Sequence, residues 1–461
     1  MSIASRRLWR AHTQEQAEPP LPKVRWWLTS ADKTNLYTEQ NELTWEPYDG
    51  QPGARPLIVD RGQQYQTMVG FGAAMTDAAT SVIGSMPEAA RDQLMDECFA
   101  ESGMHLDVVR LPIGSSDFAR FAYTYDDNNG QPDPNLDNFS IEVDEEYTIP
   151  LLKLAKQRNP KLKLFAAPWS PPAWMKTPAE LNGGELNTEY SALYAQYFVK
   201  FIQAYQEHGL DIYAVAPQNE PLHTTDGYPS MSMSAAQQVT FVNRFLGPAF
   251  ENAGLQTKII AYDHNWENTA YALEVLGNAG QYVAGSAWHA YGGEPSAQSV
   301  VHDAFPDKDI YFTEITASQP GNFAGDLQWF MRNIGIGAPQ NWARTAIYWN
   351  LALNESNGPL NGGYTRGQGA VRVTNGAVSE RYSTYYGLLH VSHELQQGAT
   401  RIGCTSYGTG YVLANVYENP DGSTVCHILC DALTPQTFKL IEGERSISLT
   451  LNPQDVVTCV W

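Results

Sequence analysis

The sequence predicts an α/β fold, a closed (β/α)8 barrel of the TIM type with an attached β-sandwich built from both ends of the chain. Three observations lead there. Eight short apolar runs alternate with helix-like stretches between residues 68 and 353. Polar and aromatic residues gather at the C-terminal end of nearly every run. Both flanks change to the alternating pattern of antiparallel strands, broken by turns such as Asn-Pro-Asp-Gly at 419–422.

Residues 23–62, with KVRWWLTSAD, LTWEPY and PLIVDRG, supply the first strands of the sandwich. Residues 63–395 form the barrel. Its runs are MVGFGAAM (68–75), LDVVRLPIG (106–114), KLFAAPWS (163–170) and IYAVAPQNEP (212–221), followed by KIIAYDHN (258–265), SAWHAYGG (286–293), DIYFTEIT (309–316) and ARTAIYWNLAL (343–353). Their length and their β-branched and aromatic content suit buried strands. Tyr194, Tyr197, Phe198, Phe201, Ile202 and Tyr205 make an apolar stripe at helical spacing. Ser85 as a cap and Pro87 in the first turn predict a helix through RDQLMDECF, and residues 379–395 supply the last one. Residues 396–461 complete the sandwich. An open doubly wound sheet is the alternative, but it usually has fewer strands, and only a barrel collects all the strand ends around one mouth.

Composition narrows the function. The 461 residues can bury a large core, and no stretch approaches the roughly 18 apolar residues of a membrane-spanning helix. A net charge of −21 disfavours nucleic acid and anionic membrane surfaces as partners. The 12 Trp and 25 Tyr suit sugar faces, although any one of them is by default a core residue. Five scattered cysteines are no disulfide framework; Cys426 and Cys430 are expected to share a strand face as buried thiols. The opening residues carry arginines with no apolar run behind them, so the chain reads as cytoplasmic as written, or secreted if a leader has been removed.

If this is a barrel, catalysis belongs at the strand ends. The fourth run ends in Gln218-Asn219-Glu220-Pro221 and the seventh in Thr313-Glu314-Ile315. Carboxylates on these two strands can face each other across the mouth, as glycoside hydrolysis requires: one protonates the leaving oxygen, and the other attacks the anomeric carbon or activates water. A lone Glu is weak evidence. Asn before it and Pro after it sharpen the signal, since Asn can bond a sugar hydroxyl and Pro fixes the backbone. Other motifs fail. Gly70-Phe71-Gly72 lacks the third glycine of a dinucleotide loop, His302-Asp303 and His390/His393 lack further zinc ligands, and Ser170 is not in a nucleophile elbow.

The motifs GFGAAMTDAAT (70–80), VVRLPIGSSDFA (108–119), APWSPPAWMKT (167–177), YFVKFIQAYQEHGL (197–210), YAVAPQNEP (213–221), WHAYGG (288–293), FTEI (312–315) and WNLALN (349–354) occur in one order. Together they resemble glycoside hydrolase family 30, over about residues 28–461. The resemblance implies a barrel with a β-sandwich, no metal or organic cofactor, and a retaining β-glycosidase acting on a β-glucoside or glucan through a covalent glycosyl-enzyme. It implies Glu220 as general acid/base and Glu314 as nucleophile, with carboxyl groups about 5–5.5 Å apart. Asp117 resembles a residue that binds outer sugar hydroxyls; a structural salt bridge is its alternative. Trp174, Asn219 and Trp349 resemble sugar contacts, and His289 and Tyr291 pocket residues near the nucleophile. Arg110, on a strand whose alternate side chains enter the barrel, is expected to hold a carboxylate, Glu314 being the candidate. A raised Glu220 pKa is expected from burial and from the charge of Glu314. Within the family, glucosylceramidase-like and β-1,6-glucanase substrates fit best, and β-xylosidase or β-fucosidase activity is the alternative. A sugar-binding protein on a dead hydrolase fold would lose one of the two glutamates.

Overall fold

A computed structural model describes residues 23–461. The opening segment considered above for a leader lies outside the described residues.

Eight parallel strands close into a barrel: Gly70–Ala74, Val108–Ile113, Lys163–Pro168, Ile212–Val215, Lys258–Asn265, Val283–His289, Asp309–Glu314 and Ala343–Tyr348. Each pairs with its neighbours in chain order, and the eighth pairs with the first. The barrel is filled, not hollow. Phe165, Ile260, Tyr311 and Ile347 pack there together with Ala214 and Ala287, so large side chains occupy the space that small ones leave. Outside, the helix Ser191–Glu207 buries the stripe from Tyr194 to Tyr205. One detail differs from expectation. Ser85 closes the helix Asp77–Gly84 through its backbone N–H, while Pro87 alone occupies the cap position of Glu88–Phe99.

The flanking strands assemble from both ends of the chain, as a single curled sheet of eleven strands. The strand Lys23–Thr29 lies antiparallel to Val456–Val460, near the end of the sequence. Central strands of this sheet are buried on both faces. Val412, Ala414, Val416, Cys426, Ile428 and Cys430 fill the inside of the curl. Leu413, Tyr417, Val425, Leu429 and Val456 pack on the barrel. Cys426 and Cys430 thus share a face, as free thiols. At the seam, His390 spans from the helix Ser383–Ser392 to Thr458 (2.9 Å) and Thr29 (2.8 Å). His427 is fully buried there, against Phe71 and Tyr417. Among the described residues no helix is long and apolar enough to cross a membrane.

Candidate active site

The second barrel strand carries Arg110 into the barrel interior, where it is 1% exposed. Burying a guanidinium is costly unless every side of it meets an acceptor. Here it donates to Glu314, to Asn219 Oδ1 (2.8 Å) and to Asp263 Oδ2 (2.8 Å). The rings of Trp169 and Trp349 lie 5.1 and 5.5 Å from the guanidinium carbon. One residue therefore organises side chains from the fifth and seventh strands and from the loops after the third, fourth and eighth.

Asp263 extends the network. Its Oδ1 accepts from Thr313 Oγ1 (2.7 Å) and pairs with His289 Nε2 (3.1 Å). The other ring nitrogen of His289 meets Glu220 Oε1 at 2.9 Å. Glu220 sits just beyond the fourth strand with φ +43°, a left-handed conformation rare for a side-chain-bearing residue. Its amide donates to the Asp263 carbonyl (3.0 Å), which helps to hold that conformation. Tyr291 completes the set by donating its hydroxyl to Glu314 Oε1 (3.0 Å).

These groups open into a cavity of about 420 Å³ at the C-terminal mouth. Asp117, Asn219, Glu220, Tyr291, Glu314 and Trp349 line it, so six of the nine residues singled out from sequence meet there. Arg110 and His289 lie beneath, bonded to the two glutamates. Trp174 is not brought in. It packs in the outer core, its indole N–H bonded to the Asp126 carbonyl (2.8 Å). Trp169, five residues earlier, takes the place in the wall, stacked 5.1 Å from Trp349. Sequence reasoning also missed Asp263, His264, His223 and Tyr228. The polar ending Asp-His-Asn of the fifth run was the available signal for the first two.

The electrostatics divide the two glutamates. Burial lowers the His289 pKa, but the charges of Glu314 and Asp263 and its hydrogen bonds outweigh that and raise it to about 9. His289 is therefore an imidazolium across the neutral range. Burial is also the largest influence on Glu220 and pushes it up. The hydrogen bond and charge of His289, with His264 and His223 adding, bring it below the ordinary range. The expectation of a raised Glu220 is thus reversed by a cation that the sequence did not reveal as its partner. Glu314 is raised, by burial first, then by Glu220 and Asp263, against the opposing charges of His289 and Arg110. Asp117 is well above its usual range through burial and the charges of both glutamates.

Glu220, His289 and Glu314 each offer a donor atom, all within 4.8 Å of one another. That set could hold a metal only at the expense of bonds already made. Both ring nitrogens of His289 are engaged, and Arg110 puts a permanent positive charge against Glu314. The arrangement suits a pair of carboxyl groups, each held by its own hydrogen-bond donors at one cavity wall.

Comparison with known proteins agrees with this geometry. The sequence model for the glycosyl hydrolase family 30 TIM-barrel domain matches residues 68–394. The chain belongs to glycoside hydrolase family 30. As a family 30 member it is a β-glycoside hydrolase. It is 35% identical over 400 residues to an endo-1,6-β-D-glucanase of Trichoderma harzianum, covering 81% of this chain and 80% of that one. A putative glucosylceramidase of Caenorhabditis elegans is 30% identical over 434 residues, covering 87% and 82%. Among solved structures, an endo-β-1,6-glucanase superposes with a TM-score of 0.87 at 32% identity, covering 95% of this family 30 chain and 99% of the other.

Proposed function

We propose that this β-glycoside hydrolase cleaves β-1,6-linked glucan with retention of configuration, Glu314 acting as nucleophile and Glu220 as acid/base. The observation that carries the mechanism is the proximity of the two glutamates, with one carboxylate oxygen of each within 4.8 Å of the other. Retaining enzymes place their carboxyl groups about 5–5.5 Å apart, whereas inverting enzymes leave about 6.5–9.5 Å for a water. Glu314 accepts from Arg110 and Tyr291, which aim it and stabilise its charge. The first step draws on the protonated form of Glu220, which His289 disfavours: it gives its proton to the departing oxygen as ionised Glu314, held by Arg110, bonds to the anomeric carbon. Formation of that ester removes the negative charge of Glu314, which favours ionised Glu220. It is then the base that takes a proton from the incoming water.

Two lines of support favour a sugar over a lipid as the leaving group. Beside Glu220 the cavity is lined by His223, His264, Asn265 and Tyr228, all able to bond hydroxyls. The relatives at 35% and the solved structure at 32% identity carry the name endo-β-1,6-glucanase. The test is a side-by-side assay of β-1,6-glucan, gentio-oligosaccharides, glucosylceramide and an aryl β-xyloside, with the first-formed anomer followed by proton NMR. Rapid cleavage of β-1,6-glucan with β-anomer appearing first is expected. Preference for glucosylceramide would overturn the substrate, and first-formed α-anomer the mechanism.

A further inference from the structure

Lys176 is a buried cation that the mechanism does not use. It is 4% exposed and lies in the loop after the third barrel strand. Its ammonium donates to Ser170 Oγ (2.9 Å), the Leu181 carbonyl (2.7 Å) and the Ser230 carbonyl (2.8 Å). An ammonium has three protons, and all three are placed. None goes to a carboxylate, and burial pushes Lys176 down to about 7. Three hydrogen bonds from one buried nitrogen tie together what its acceptors belong to, here two different loops.

The second loop, after the fourth strand, is the wall beside Glu220. It carries His223 and Tyr228, which line the cavity and bond each other at 3.0 Å. Lys176 is the centre of a seam between the loops. Around it Gly183 N–H donates to Ser230 Oγ (2.9 Å), Ser230 N–H to Leu181 (3.1 Å), Ser232 N–H to Gly184 (2.9 Å), and Asn182 Nδ2 to Asp226 (2.8 Å). The wall's far edge rests on the loop after the eighth strand. There Gly227 passes so close to Gly362 that a Cβ at 362 would fall 1.8 Å from the Gly227 carbonyl oxygen. The wall is therefore set from two sides: by the lysine at one and by a glycine contact at the other.

We infer that Lys176 is a positioning residue for the leaving-group site: by fixing the loop that bears His223 and Tyr228, it sets how tightly the sugar beyond the scissile bond is held. This rests on the reading that the leaving group is a sugar. Lys176→Met removes the three-way tie without adding bulk. The expected result is a rise in KM for a gentio-oligosaccharide of ~10-fold or more with kcat changed less than about threefold, the pattern of lost ground-state binding. For 4-nitrophenyl β-glucoside, whose small leaving group makes little use of the wall, the KM rise should stay under about threefold. Lys176→Gln, which restores two donors, should recover part of the difference. Gly362→Ala displaces the wall from its other edge and should give the same split, which decides the matter if Lys176→Met does not fold. Equal losses on both substrates, or unchanged KM in folded variants, would overturn the inference. A wild-type enzyme inactive on gentio-oligosaccharides would instead sink the substrate reading, and the comparison would then be made on whichever extended-aglycone glucoside it cleaves.

Discussion

Replacing His289 by Gln removes one positive charge from beneath Glu220 and keeps a polar side chain there. In the native site the imidazolium and the carboxylate are hydrogen-bonded at 2.9 Å. With their charges spread over ring and carboxyl group, the centres are about 4 Å apart, and at an effective dielectric near 20 the attraction is ~4 kcal/mol, or ~3 pH units. Some of that is recovered by rearrangement, so about 1–3 pH units is the working figure. The sign follows from the role of Glu220. His289 favours the ionised form, and the first step needs the protonated form, so loss of the cation keeps the acid competent to higher pH. The alkaline limb of kcat/KM for a gentio-oligosaccharide should accordingly move upward by about 1–3 pH units in His289→Gln. A 2,4-dinitrophenyl β-glucoside, whose leaving group needs no proton, should show the limb weakly in both enzymes. An unmoved limb, or one moved downward, would refute the claim that His289 sets the acidity of Glu220.

Glu314→Gln should lower kcat by at least ~10³-fold, and a 2-deoxy-2-fluoro glucoside with a good leaving group should label Glu314 in the wild type, as peptide mapping would show. Glu220→Ala should spare the first step only for activated aryl glucosides, and added azide should restore turnover with β-glucosyl azide as product; α-azide would exchange the two roles. Asp117→Ala should slow glucoside cleavage more than xyloside cleavage, and equal losses would mark it as structural. Stability should fall with acid. His390 and His427 are held neutral, His427 down to about 3, by burial first. In the unfolded chain they take up protons below about pH 6.5, so above that pH they exact no penalty. Below it each costs ~1.4 kcal/mol per pH unit until the folded group also titrates. Thermal melts from pH 7 to 4 should show this, and His427→Met should flatten the dependence.

All eight barrel strands and the long helix were legible in the sequence, because burial on both faces leaves short apolar runs and an amphipathic helix leaves a 3.6-residue stripe. The two glutamates were legible because their neighbours form motifs. Asp263 was not, although its run was recognised. Tyr262 and Asp263 both have positive φ, and the pairing register shifts between Tyr262 and His264, so the strict alternation of inward and outward residues fails there. The choice between Trp169 and Trp174 was equally hidden. Pro171 and Pro172 lie between them, and only the path of the chain through those residues decides which indole meets the cavity. The reversal at Glu220 depends on His289 approaching from the sixth strand, 69 residues away, a contact no local pattern encodes.

The pairing of Lys23–Thr29 with Val456–Val460 has a consequence in time. Trp26 and Trp27 leave the ribosome more than 400 residues ahead of their partners Cys459 and Thr458. At about 5–20 residues per second the first strand waits roughly 20–90 s for its neighbour, while the barrel, whose strands pair in chain order, can close in the interval. An apolar strand left without its partner for that long is a site for misassociation during synthesis. Joining residue 461 directly to residue 23 and reopening the chain in a barrel loop would make the two strands neighbours in sequence. Such a permutant should form the sheet early and instead leave the barrel waiting, so comparing its refolding yield with that of the native order would show which delay the fold tolerates.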